Sequence, residues 1–137
     1  MLLYGIDENE NPRLLKLDSN GRIKITFSDG GSTQRFTSVS NSPLVVKSSA
    51  GKIIGFNIIN PNMDPVYLKF YDTASPTIGT TAPKNTLSVP SNGTVLFVSP
   101  RYWSEFTTAI SMACVSGLED SSTDPPDQDI YCEITYI

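Results

Sequence analysis

The sequence predicts an all-β protein, a jelly-roll-like β-sandwich with an extended N-terminal arm that contains a β-hairpin. Three observations predict it. Short apolar or alternating runs recur between turn signals, Ser, Thr, Pro and Gly are spread through the whole length, and no window carries the periodicity of an amphipathic helix. At 137 residues the chain suits one domain, whose size buries roughly two-thirds of the surface exposed on unfolding, so a single core needs no metal or disulfide staple. Residues 1–42 read as arm, hairpin and linker, and residues 43–137 as the sandwich.

The first stretch carries Leu2, Leu3, Tyr4 and Ile6 ahead of a polar cluster that ends in Pro12. Arg13-Leu14-Leu15-Lys16-Leu17 and Ile23-Lys24-Ile25-Thr26-Phe27 then flank Asp18-Ser19-Asn20-Gly21, where Asn-Gly supplies the positive φ angles of a tight hairpin turn. Residues 28–42 are polar and Gly/Ser-rich, with Phe36 and Val39 as apolar anchors, and read as a linker. The body starts with Pro43-Leu44-Val45-Val46-Lys47, turns at Ala50-Gly51, and continues in a buried-looking strand over residues 52–59.

In Val66-Tyr67-Leu68-Lys69-Phe70-Tyr71 the alternation puts Val66, Leu68 and Phe70 on a core face and Tyr67, Lys69 and Tyr71 on a wet one. Residues 73–85 form a long irregular connection. Two further runs, 86–89 and 94–98, surround a turn at Ser91-Asn92-Gly93, and the bulky Tyr102, Trp103 and Phe106, with a possible helical turn, plug one end of the core. The last pair of runs, 108–115 and 129–137, is separated by an exposed loop rich in Asp, Ser and Pro. The body count comes to about eight strands, that of a jelly roll.

A formal charge of −4 argues against a nucleic-acid partner, because duplex binding needs a positive stripe that displaces counterions. Apolar runs fall far short of the roughly 20 residues that span a bilayer, so no membrane helix is expected. Met1-Leu2-Leu3-Tyr4 lacks a basic lead-in, so the chain is expected to be made in a cytoplasm, without a secretory signal.

The sequence contains no histidine, which removes the usual general base, proton shuttle and metal ligand together. A two-carboxylate glycosidase would have to draw on Asp72, Glu105 and Glu133, which read better as solvated acids. Non-enzymatic function is therefore expected, with no catalytic residue, cofactor or metal. Asp7-Glu8-Asn9-Glu10-Asn11 resembles the opening of a calcium loop, but Pro12 stands where the turn needs glycine and Asp18 is short for the closing ligand, so a polar turn is the better reading. Glu119, Asp120, Asp124, Asp127 and Asp129 form a second acidic cluster, read as solvated. Cys114 and Cys132 sit in apolar alternating runs and read as buried thiols, able to face each other only if those runs form a hairpin.

Two segments carry a resemblance. Tyr4-Gly5-Ile6-Asp7 and Pro12-Arg13-Leu14-Leu15-Lys16-Leu17-Asp18-Ser19-Asn20-Gly21 are similar to a lead-in on small structural proteins of tailed phages, cyanophages among them. The body phrase Asn60-Pro61-Asn62, then Val66-Tyr67-Leu68-Lys69-Phe70-Tyr71, then Pro76-Thr77-Ile78-Gly79-Thr80-Thr81-Ala82-Pro83, resembles theirs, and the sequence departs from the pattern at Glu10, at Leu17 and at Asn20-Gly21. The resemblance implies a virion β-sandwich: a capsid decoration (cement) protein on the outer surface of the capsid, partnered by the major capsid protein and by itself as a homotrimer. Leu2, Leu3, Tyr4, Ile6, Leu14, Leu15 and Leu17 would be its arm anchors. The alternative is a tail or fibre module that binds a host-surface carbohydrate on a platform of Tyr67, Tyr71, Tyr102 and Trp103.

Overall fold

The computed structural model describes residues 4–6, 12–14, 31–99 and 101–137, all of them in strands, turns or loops and none in a helix. Strands β1 (Tyr4–Ile6) and β2 (Pro12–Leu14) pair antiparallel, with Tyr4 opposite Leu14 and Ile6 opposite Pro12. Proline is tolerated there because it opens its strand and has no N–H to lose from the ladder. The expected hairpin turn at Asp18-Ser19-Asn20-Gly21 and the Asp7–Asn11 stretch lie outside the described residues.

The body comprises β3 (Ser32–Val39), β4 (Leu44–Lys47), β5 (Gly51–Ile59), β6 (Val66–Tyr71), β7 (Asn85–Val89), β8 (Thr94–Val98), β9 (Ser104–Phe106), β10 (Ile110–Val115) and β11 (Ile130–Tyr136). They form two antiparallel sheets packed as a β-sandwich, one ordered β3-β11-β5-β8 with the short β9 also on β5, the other ordered β4-β10-β6-β7. The pairings are nested: β3 with β11, β4 with β10, β5 with β8, β6 with β7. One long hairpin has in effect been rolled so that successive pairs fall in alternate sheets.

One expectation changes here, and two open points are settled. The stretch read as a linker contains β3, an edge strand whose Ser32 lies opposite Tyr136 and whose Val39 lies opposite Ile130. Its outer side is solvated, which is why its composition looks like that of a connector. The runs around Cys114 and Cys132 do not form a hairpin, since β10 pairs with β4 and β6 and β11 with β3 and β5. Nor do the runs around Asn92 pair with each other: β7 and β8 belong to different sheets, and the turn, with Asn92 at φ 47°, carries the chain between them.

The inward faces meet in one core. Val46, Leu68, Phe70, Met112 and Cys114 come from one sheet and Phe56, Ile58, Ile130, Cys132 and Ile134 from the other. In β5 the inward residues are Ile53, Phe56 and Ile58, a break in alternation set by a register shift, since Thr135 lies opposite Gly55 and Tyr136 opposite Ile53. Trp103 closes one end of the core, its ring edge-on to Phe56 at 5.2 Å and to Phe70 at 5.4 Å. The expected helical turn beside it is instead β9, which pairs with the first residues of β5.

Candidate functional site

The sandwich offers four surfaces: the outer face of each sheet and the loop cluster at each end. The outer face of the β4 sheet is covered. All of β10 is buried on both sides, and Lys69 and Tyr71 on β6 are fully buried beneath residues 73–84 and 116–129. The Lys69 ammonium donates to the Glu119 carbonyl and the Ser111 hydroxyl to the Thr73 carbonyl, so each covering loop is tied down to the sheet. The loops also interlock, because Gly79, at φ 82°, sits so close to Thr123 that a Cβ there would lie 2.5 Å from its methyl group. Burial, with Asp120 nearby, pushes the Tyr71 hydroxyl above its ordinary range.

The outer face of the β3 sheet is open. Leu96 is 72% exposed and Val98 62%, both on the free side of the sheet beside Ile59. Between β8 and β11 lies a shallow apolar cleft of about 150 Å³, floored by Gly55 and bounded by Ile54, Leu96, Val98 and Thr135. Next to it Arg35 stands opposite Glu133 across the β3–β11 ladder, with its guanidinium 5.2 Å from the Tyr131 ring. The Tyr131 hydroxyl donates to Glu133, and that bond pushes its pKa up.

At one end, the loops 60–65, 90–93 and 116–129 are locked by an asparagine pair. Asn60 donates to the carbonyls of Asp64, Val89 and Pro90, and its Oδ1 accepts from the Asn62 backbone N–H at 2.9 Å and from Asn62 Nδ2 at 2.8 Å. Asn62 in turn accepts from the Gln128 N–H and donates to the Gln128 carbonyl. Beside this network a cleft of about 270 Å³ is lined by Asp64, Tyr67, Ser116 and Asp127.

At the other end, Lys47, Lys52, Glu105, Phe106 and Ile137 line a cleft of about 340 Å³. Lys52 lies 3.8 Å from Glu105 and 4.9 Å from the centre of the Tyr102 ring, and Lys84 lies 3.8 Å from Asp72 and 5.3 Å from that of Phe106. Burial alone would raise Asp72, but the N–H groups of Thr107, Thr108 and Ala109 and the Thr107 hydroxyl outweigh it and hold the carboxyl at about 2.

The candidate residues separate in space. Of the aromatic platform, Tyr67 is half-buried at the acidic cleft, Tyr71 is sealed under the loops, Trp103 packs into the core and Tyr102 is 45% exposed at the lysine-bearing end. They do not form one stacking surface. Asp72, Glu105 and Glu133 are engaged separately, by backbone N–H groups, by Lys52 and by Tyr131. Among the arm anchors, Tyr4, Ile6 and Leu14 lie on the β1–β2 ladder, and Leu2, Leu3, Leu15 and Leu17 lie outside the described residues. Cys114 and Cys132 are free and buried. Burial, with Asp129 nearby, pushes Cys114 up to about 12, and Cys132 is raised for the same first cause.

Sequence reasoning missed the covered outer face of β6. The signal was present in Ser111 and Ala113, small uncharged residues where a wet face would carry long polar ones. Compared with protein-family models, with curated proteins and with solved structures, the chain finds no match.

Proposed function

We propose that this chain is a structural protein of a tailed-phage virion: a capsid decoration (cement) protein on the outer surface of the shell, acting through its N-terminal residues and an oligomeric β-domain. Its partners are the major capsid protein and copies of itself, as a homotrimer, and it performs no catalysis. The observation that carries the reading is the nesting of β3 with β11, β4 with β10, β5 with β8 and β6 with β7. We read that connectivity as jelly-roll-like, the kind of architecture found in viral capsid modules, and the step from fold to role is an analogy supported by the phage-like phrases in the sequence.

The physical logic is that cement adds buried contact at seams between shell subunits. An extended segment supplies much contact area per residue at the cost of ordering it on docking. Virions imaged by cryo-electron microscopy with an antibody label against this chain are the test: label spread over the head is expected, and label confined to the tail overturns the assignment.

One observation favours the tail or fibre reading. Tyr67 walls the cleft that also holds Asp64, Ser116 and Asp127, a set of groups suited to a sugar's ring face and hydroxyls. A glycan array separates the two, since saturable sugar binding lost in Tyr67→Ala belongs to the receptor-binding module and not to cement.

A further inference from the structure

We infer that the end of the sandwich bearing Lys47, Lys52, Lys84 and Arg101 is the face that docks, and that it fits a carboxylate-rich protein surface. The inference rests on the cement reading and adds to it which way the domain points. Among the described residues of the body, charge at the two ends of the sandwich is segregated along the strand direction. Lys47 ends β4, Lys52 follows the opening glycine of β5, Lys84 precedes β7, and Arg101 lies on the loop between β8 and β9. The loops of the opposite end, residues 60–65, 90–93 and 116–129, contain Asp64, Glu119, Asp120, Asp124, Asp127 and Asp129 and no lysine or arginine.

The side-chain carboxylates at the cationic end are already engaged. Asp72 is held by the N–H groups of Thr107 and Thr108, and Glu105 lies 3.8 Å from Lys52. Among the described residues, Lys47 and Arg101 form no ion pair. The cleft between Lys47 and Lys52, about 340 Å³ with Phe106 in its wall, gives a partner's carboxylate side chain room to reach both ammonium groups.

A second observation picks the same end. Residues 1–30 join the body at Gly31, and Ser32 lies opposite Tyr136 in the β3–β11 ladder. The ideal Cβ position of Gly31 is 3.0 Å from Ile54 Cδ1 and 3.4 Å from Ile137 Cγ2, and Ile137 exchanges backbone hydrogen bonds with Lys52. The N-terminal residues therefore leave the sandwich where the lysines are. If they engage a shell, this end is brought against it, and the acidic end is left facing the medium.

The test uses the full chain and purified phage heads that lack it, with binding followed by co-sedimentation. Wild type is expected to bind at least tenfold more weakly at 500 mM than at 50 mM salt. Lys47→Glu with Arg101→Glu is expected to lose roughly tenfold at 50 mM, the scale of a few exposed charge contacts. Asp64→Lys with Asp127→Lys, a reversal of equal size at the other end, is expected to stay within threefold of wild type, and thermal melts confirm that each variant is folded. Heads bound equally well by wild type and the Lys47/Arg101 variant, or lost only by the Asp64/Asp127 variant, overturn the orientation while leaving the cement reading intact. Wild type that fails to bind heads at all overturns both.

Discussion

Asn60 is 1% exposed, and replacing it by aspartate tests the lock at the acidic end more sharply than truncation does. The orientation of its amide is fixed by its neighbours. The Asn62 backbone N–H can only donate, so the atom 2.9 Å away is Oδ1, and Nδ2 faces the carbonyls of Asp64 at 3.0 Å, Val89 at 3.2 Å and Pro90 at 3.0 Å. Asn60→Ala strips the acceptor from two donors of Asn62, itself 3% exposed, and each buried donor left unsatisfied costs about 1–3 kcal/mol. The expected loss is about 3–4 kcal/mol, or roughly 10 °C in Tm for a domain of this size.

Asn60→Asp keeps the shape and the acceptor but turns Nδ2 into an oxygen facing three carbonyls. At pH 7 it should cost at least as much as alanine, because an anion is then buried among acceptors. That carboxyl's pKa is raised in the folded state, so the deficit relative to wild type shrinks as pH falls and the protonated group regains one donor. Urea unfolding of wild type and both variants at pH 7 and pH 5 measures this. An Asn60→Asp protein within about 1 kcal/mol of wild type at pH 7, or a deficit that does not narrow on acidification, refutes the argument.

Three further outcomes are expected. Asp72→Ala should cost about 1–2 kcal/mol at pH 7. Because the Asp72 carboxyl sits at about 2 instead of its ordinary 3.8, its contribution is complete above pH 3.8 and is lost as pH falls toward 2, so wild type and variant melts should converge there and persistent separation would count against it. Gly79→Ala should lose about 1–2 kcal/mol, since φ 82° is unfavourable for an L side chain and Thr123 must move; hydrogen exchange should show faster exchange of β6 amides, and unchanged protection would mean the loops do not depend on that contact. Cys114 and Cys132 should resist a thiol reagent in the native protein and react together in urea, while rapid native labelling would contradict their burial.

Much of the sandwich was legible because strands of alternating residues advertise themselves. β6 and β10 alternate cleanly enough that Leu68, Phe70, Met112 and Cys114 are core residues on pattern alone. β3 was not legible, for a specific reason: Cys132 lies opposite Phe36 but Ile130 lies opposite Val39, so an extra residue in β3 breaks the two-residue period just where its apolar anchors fall. The sealing of Lys69 and Tyr71 was hidden because it depends on two loops far apart in sequence meeting over one face. The charge segregation was readable only in part: the acidic cluster is contiguous, whereas Lys47, Lys52, Lys84 and Arg101 are gathered by the rolling of the chain and form no motif. The Asn60-Pro61-Asn62 phrase stood out as a resemblance before the hydrogen bonds gave it a physical job.

The nested pairing also governs when the domain can form during synthesis. β6 and β7 close over a short span, but each outer pair must bridge a longer one, and β3 waits for β11 at the far end of the chain. Topologies dominated by such distant partners fold slowly, in milliseconds to seconds. A ribosome adding about 5–20 residues per second thus holds an incomplete sandwich, with the edge of β5 that pairs with β11 unpaired, until Tyr136 emerges. The strand joined to residues 1–30 is then the last to be fixed, so the N-terminal segment acquires its anchored end only once the rest of the body is in place.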